Sequence, residues 1–367
     1  ALFLDEAKLS ILVKPSIVEF NRNVWNINSS FDQKHLLQYD YLTDRIDLNF
    51  FEAQSGNERI EIKANYNSKD DFGLSLLLDK VSIQNLAIST NDFNFKGAMD
   101  LNLNIKRSPS DNTLDFNGFV DDFVINDLDM GTLRFFTQGN TQLNSYEVNL
   151  RLFDKEKNSL LAKGNILGFD KSPRLDLDFS FNDFDLSFLT PIGRGDVDKI
   201  RGNVTGNVNL WGPIDAPNHN GQLILNQGGL SIPYINTDYL FSNGTIVSLV
   251  DQTFNFNKTK LTDTKFGTQA ELVGQINHLN FSNWGFDINV VSERILMLNV
   301  DEREDEVFFG NGFLGGKVHL HGPSKNLTID VVGATEEGTS IKIPWADDFG
   351  LADTSFMKFI DKKKVGK

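Results

Sequence analysis

The sequence predicts an all-β protein: one elongated, curled sheet with an apolar interior groove and little helix. Three observations lead there. Apolar and polar residues alternate with period two over long stretches, helical spacing is almost absent, and Gly-rich motifs recur at a fixed long interval.

Leu175, Leu177, Phe179 and Phe181 are interleaved with Asp176, Asp178 and Ser180. Phe286, Ile288 and Val290 are likewise separated by Asp287 and Asn289, and Leu101, Leu103 and Ile105 by Asn102 and Asn104. Side chains on a strand point alternately to opposite faces, so each segment reads as a strand with one apolar and one wet side. Asn and Asp are poor strand formers, and packing on the apolar side must offset their regular use. Helical signals are confined to two places. Phe356, Met357 and Ile360 lie at helical spacing behind Asp353 and Thr354, which suit a helix cap, and Phe31 to Tyr41 has room for a helical turn.

The repetition is the most informative feature. Gly97 precedes Met99, Leu101, Leu103, Ile105 and then Pro109. Gly206 precedes Val208, Leu210, Gly212 and Pro213, and Gly316 precedes Val318, Leu320, Gly322 and Pro323. Leu160 to Ile166 resembles Ala270 to Ile276 at the same step, about 110 residues. Each unit holds several strands, with Gly expected at turns and Pro just past strand ends. Such units grow by adding strands to an edge. At roughly 14 residues per strand and turn, about 25 strands spaced ~4.8 Å would exceed ~100 Å.

Composition bounds the function. The chain has 367 residues, 40 % of them hydrophobic, with 31 Phe against 6 Tyr and 4 Trp. Modest apolar content concentrated in Phe fits one greasy surface beside much solvated surface. A net charge of -15 repels nucleic acid and anionic bilayers, and only Lys362, Lys363 and Lys364 form a basic run. With no cysteine, disulfides and thiolate metal sites are excluded. No apolar run reaches the ~18 residues of a membrane-spanning helix. Ala1 to Leu12 carries Asp5, Glu6 and Lys8, unlike a signal peptide, and a chain that starts in mid-pattern reads as a fragment.

Candidate chemistry is thin. His319 and His321 share a strand face, as a metal pair would. The matching residues of the preceding repeat are Asn209 and Trp211, so we read the histidines as ordinary outward-facing residues and expect no metal. Gly310, Gly312 and Gly315 spell GxGxxG, but Lys317, Val318, His319 and Leu320 continue as a strand where a dinucleotide site needs a helix. Asp176, Asp178, Asp183 and Asp185 suggest calcium ligands or a glycosidase pair only until one notes that acids recur on polar strand faces, where they keep edges soluble. The acidic run Asp301 to Glu306 reads as a loop. There is no Gly-x-Ser-x-Gly elbow, and no catalytic residue and no cofactor is expected.

Gly202 to Pro213, Gly221 to Gly229, Tyr234 to Phe241, Gly244 to Ile246 and Gly274 to His278 together resemble the C-terminal conserved region of the TamB family, the translocation and assembly module proteins of Gram-negative bacteria. Val307 to Gly310, Gly316 to Pro323, Ile343 with Pro344, and Phe356 to Ile360 extend the likeness. It is strongest over roughly residues 200 to 360. The resemblance implies an AsmA-like, bridge-like β-taco or half-pipe that spans the periplasm from an inner-membrane anchor and meets a BamA-type or TamA-type outer-membrane barrel. It divides the chain into a repeating segment, 1–199, and a TamB-type segment, 200–367, continuous with the first. On that likeness the anchor is expected to lie outside this sequence, and the chain is expected to stop short of the segment that meets the barrel.

The expected function is a hydrophobic conduit moving phospholipids between the membranes and supporting outer-membrane biogenesis. Its partners are acyl chains rather than nucleic acid. The expected groove lining is Leu101, Leu103, Ile105, Leu175, Leu177, Phe179, Phe181, Val208, Leu210, Phe286, Ile288, Val290, Val318 and Leu320. The alternative is a scaffold or chaperone whose sheet edge pairs with nascent outer-membrane strands. A solenoid enzyme or adhesin would need clustered carboxylates or a strict short repeat, and neither is seen.

Overall fold

A computed structural model describes residues 2–4, 7–29, 36–86, 88–90, 92–110, 112–140, 142, 144–154, 157–168, 172–193, 195–301 and 309–343. Among them 24 strands form a single antiparallel sheet, and helix is limited to four short 3-10 segments. The sheet is essentially a meander. From Arg45–Ser55 to Asn218–Ile232 each strand pairs with the next in the chain, including Arg174–Asp185 with Asp198–Pro213 across residue 199. Thr237–Phe241 and Thr245–Asp251 then sit end to end between Asn218–Ile232 and Thr253–Asp263. With strands sharing rungs in this way, about 20 rungs at ~4.8 Å give roughly 90 Å across the strands.

The sheet curls. Asn126, at the end of Thr113–Ile125, donates through Nδ2 to the Phe188 carbonyl at 2.8 Å, although Phe188 follows a strand four rungs away. Four flat rungs would separate these groups by ~19 Å. Tyr239 Oη donates to the Leu296 carbonyl at 2.7 Å, and Asn236 Nδ2 to the Asn299 carbonyl at 2.7 Å, each across three rungs. Burial pushes the Tyr239 phenol up to about 12, so it stays a donor at any physiological pH.

The bend has a local cause. Register slips between Leu78 and Val81, Val120 and Phe123, and Phe181 and Phe184 are β-bulges. Lys80, Asp122 and Asp183 occupy them at φ 51°, 49° and 55°. An extra residue increases twist and bends the strand, and it switches which later positions face inward. Val81, Phe123 and Phe184 are therefore buried, and a core of Ile83, Val120, Phe123, Met130, Leu152, Phe184, Val204 and Leu225 forms along this side. Phe123 stacks on Phe95, and Phe188 meets both Phe93 and Phe184.

Two expectations need correction. Leu36–Asp40 is a strand, not a helical turn, because it pairs with both Lys8–Leu12 and Arg45–Ser55; residues 31–35 lie outside the described residues. Gly97, Gly206 and Gly316 lie within strands rather than at turns, at φ 143°, 152° and 146°. At Gly206 a Cβ would strike the backbone of Gln222 on the neighbouring strand. The bulges themselves were not anticipated. The helix proposed at Phe356 to Ile360, the lysine run, and residues 302–306 of the acidic segment lie outside the described residues.

Candidate functional site: the concave apolar face

Antiparallel partners point to the same side of a sheet, so the register traces each face from strand to strand. One row begins at Ile60 and runs through Leu78, Leu101, Gly118, Phe135, Leu150, Ala162, Phe179, Val208, Gly221, Leu249, Phe254, Ile276, Phe286 and Gly322. Beside it, another runs from Val81 through Met99, Val120, Leu133, Leu152, Leu160, Phe181, Gly206, Leu223, Val247, Phe256, Gly274, Ile288 and Leu320 to Ile329. Neither row contains a polar side chain. The opposite face is of the other kind: Ser180, Asn207, Gln222, Ser248, Asn255, Gln275, Asp287, His321 and Thr328 make one cross-strand row.

All fourteen residues named from the sequence lie on the apolar face. Leu101, Phe179, Val208 and Phe286 belong to the first row, and Phe181, Ile288 and Leu320 to the second. Leu177 pairs with Leu210, Val290 with Val318, Leu103 with Phe116, Ile105 with Leu114, and Leu175 with Gly212. Burial along this face is uneven. Leu101, Leu177, Val208 and Val318 are buried, whereas Phe179, Phe181, Leu210, Ile288, Val290 and Leu320 are half-buried, although apolar neighbours surround them. The sheet curls over this face without filling it. Inward glycines sit beside aromatic rings, as Gly206 beside Phe181 and Gly274 beside Phe256.

A polar pair absent from the sequence reading sits on the same side. His219, 1 % exposed, pairs in register with Leu210, which places it on the apolar face at the strand end opposite the bulges. Its Nε2 lies 2.8 Å from Nε2 of His278, three rungs away. His278 Nδ1 accepts the Phe281 amide at 3.0 Å, so its proton is on Nε2 and is donated to His219. That leaves the His219 proton on Nδ1, a buried atom with no partner. Phe254, Phe281 and Trp284 pack around the two rings. Burial pushes the His278 imidazole down to about 4 and lowers that of His219 as well. Both are neutral at pH 7. The pair was missed because its members are 59 residues apart, with no local motif.

The other motifs resolve structurally. Gly310, Gly312 and Gly315 lie in the strand Phe309–Pro323, with no helix behind them. Asp176 and Asp178 are outward and accept from Asn209 Nδ2 at 3.4 and 3.0 Å. Asp183 occupies a bulge, and Asp185 accepts the Ser187 amide at 2.8 Å, capping a 3-10 turn. His319 and His321 are outward too, but carboxylates from two other strands join them. Asp287 Oδ1 is 2.8 Å from His319 Nε2, and Asp330 Oδ2 is 2.9 Å from His321 Nε2.

No helix among the described residues is long and apolar enough to cross a membrane. Comparison with curated proteins and with solved structures returns no match. The family comparison does. The repeat sharing backbone angles at Gly212 and Gly322, φ 103° and 101°, and at Gly164 and Gly274, φ 149° and 156°, ends in the matched segment. Residues 257–367 match the model of the TamB C-terminal domain, starting downstream of the Gly202 to Phe241 motifs of the likeness, so over this last segment the chain is similar to the TamB family.

Proposed function

We propose that the concave face is a conduit for phospholipid acyl chains in the periplasm, and that the protein supports outer-membrane biogenesis by carrying lipid rather than by catalysing a reaction. The observation that carries this reading is the pair of apolar rows, continuous over some fifteen strands and only partly buried. Exposing the chains of a two-tailed lipid to water uncovers on the order of 30 methylenes at ~0.8 kcal/mol each, about 25 kcal/mol in all. Two adjoining rows without a polar side chain lower that barrier along their whole length, whereas a closed core would leave no room for a guest. The polar outer row keeps the same sheet soluble.

Photo-crosslinking tests this. A crosslinking residue at Leu177 or Ile288, both inward, captures phospholipid in cells; one at Asp176 or Gln275, both outward and exposed, does not. Equal capture from both faces, or none from either, defeats the conduit. A second reading rests on a different observation. The strand Thr328–Thr335 is exposed at every residue and among the described residues pairs only with Phe309–Pro323, which suits β-strand addition by a client or a BamA-type barrel. Crosslinks to protein from Val332, with none to lipid from Leu177, favour it.

A further inference from the structure

We propose a divalent transition-metal site on the convex face, formed by His319, His321 and Asp330, with Asp287 orienting His319. The sequence alone argued against one, since the preceding repeat has Asn209 and Trp211 in the matching positions. The fold adds what the sequence could not: carboxylates from the strands on either side. Asp287 comes from Ser282–Val300, the histidines from Phe309–Pro323 and Asp330 from Thr328–Thr335. In register, Asp287 lies opposite His321 and Asp330 opposite His319, so the histidines on the middle strand are flanked by one carboxylate on each side, and each carboxylate bonds the diagonal imidazole.

Three features fit a cation. His319, His321 and Asp330 each place one donor atom within 4.8 Å of the other two. A tetrahedral Zn2+ with bonds of about 2.0 Å needs its ligands about 3.3 Å apart, which a small side-chain rotation supplies. The imidazole rings are already aligned, stacked 4.5 Å between centroids with 26° between planes. Finally, Asp287 holds the Nε2 hydrogen of His319 and so leaves Nδ1 with its lone pair, the carboxylate–histidine arrangement that raises ligand basicity in metal sites. Two imidazoles and one carboxylate suit Zn2+ and its late first-row neighbours rather than Ca2+ or Mg2+, and solvent would complete the shell.

The site would tie an otherwise weakly held strand to the sheet. Every residue of Thr328–Thr335 is exposed, including Ile329 and Val332, so little burial holds it there. A cation bridging Asp330 to the histidines joins it to its neighbour and stabilises it by mass action. This proposal is independent of the lipid reading, which concerns the other face.

The test uses the untagged chain, stripped of metal and dialysed against micromolar ZnCl2, with bound zinc measured by mass spectrometry and hydrogen exchange followed by peptide. We expect one equivalent of Zn2+ and, on adding it, slower exchange across residues 328–335. His319→Asn with His321→Asn, which borrows the side chain found at Asn209, should abolish both effects. Asp330→Asn should weaken binding by 10-fold or more. Zinc retained equally by the double variant, affinity unchanged in Asp330→Asn, or wild-type exchange at 328–335 indifferent to Zn2+ would each overturn the site. The last reading needs no variant to fold.

Discussion

The buried His219–His278 pair makes the stability of this sheet acid-sensitive in a defined window. A neutral pair shares one hydrogen between the two Nε2 atoms; one added proton puts a buried charge among Phe254, Phe281 and Trp284, and charging both rings would set two charges side by side, their Nε2 atoms 2.8 Å apart. His278 titrates near 6.5 when unfolded and at about 4 when folded, because burial penalises the charged form and His219 adds to it. Between these values the unfolded chain binds more protons, so the contribution is complete above pH 6.5 and is lost as pH falls toward 4. At pH 4.5 the two titrations differ by about 2 kcal/mol relative to pH 7. Asp251, opposite His219 in register, acts in the other direction on its neighbour, so the figure is taken for His278 alone. Urea denaturation followed by circular dichroism at pH 7 and pH 4.5, on wild type and on His219→Leu with His278→Phe, isolates the effect. The variant should lose about 2 kcal/mol less than wild type over that interval. Equal losses would mean that the histidines are protonated without cost in the folded sheet, and the pairing described above would be wrong.

Two other substitutions probe the framework. Gly274→Val should cost 3 kcal/mol or more, ~1–3 of it from backbone strain, because Gly274 has φ 156° and a Cβ there would stand 2.6 Å from the Ile288 Cα; urea midpoints measure it, and a loss below about 1 kcal/mol would refute the strained geometry. Asp263→Ala should cost about 3 kcal/mol, since this 1 % exposed carboxylate accepts the amides of Lys265, Phe266 and Thr268 at 3.0, 2.7 and 2.6 Å, and amide exchange in that turn should accelerate with it.

The flat part of the fold was legible and the bent part was not, for a reason that lies in particular residues. Alternation is a local signal, and it placed Leu175 to Phe181 and Phe286 to Val290 on one face because no bulge interrupts those runs. At each bend the pattern changes to apolar, polar, polar, apolar: Leu78, Asp79, Lys80, Val81; Val120, Asp121, Asp122, Phe123; Phe181, Asn182, Asp183, Phe184. In a regular strand such a step would bury one of the two polar residues. The chain instead inserts one at positive φ, a conformation that Asp tolerates better than most residues, and both remain in water. The signal was present but reads as a break in alternation unless the register is known. The same switch carries Phe123 and Phe184 into the core, which strict period two would have assigned to the wrong face.

Side-chain chemistry was less legible than backbone, and the repeat shows why. Gly206 and Gly316 share φ near 150°, and the strands that follow them pair with their neighbours in one register, Asp178 opposite Asn209 as Asn289 is opposite His319. What recurs is whatever the backbone and the inward face require: glycine where a Cβ would strike the next strand, and an apolar residue wherever the row must continue. Outward positions answer only to water, so Asn209 and Trp211 can stand where His319 and His321 stand one repeat later without disturbing the sheet. Comparing repeats therefore picks out the apolar face, because its positions meet the same backbone and packing limits in each unit. It is silent about the outer face, where a site would need to arise in only one unit and would draw half its groups from other strands. His219 and His278 follow the same logic from the inside: each belongs to its own strand, and only the curl makes them a pair.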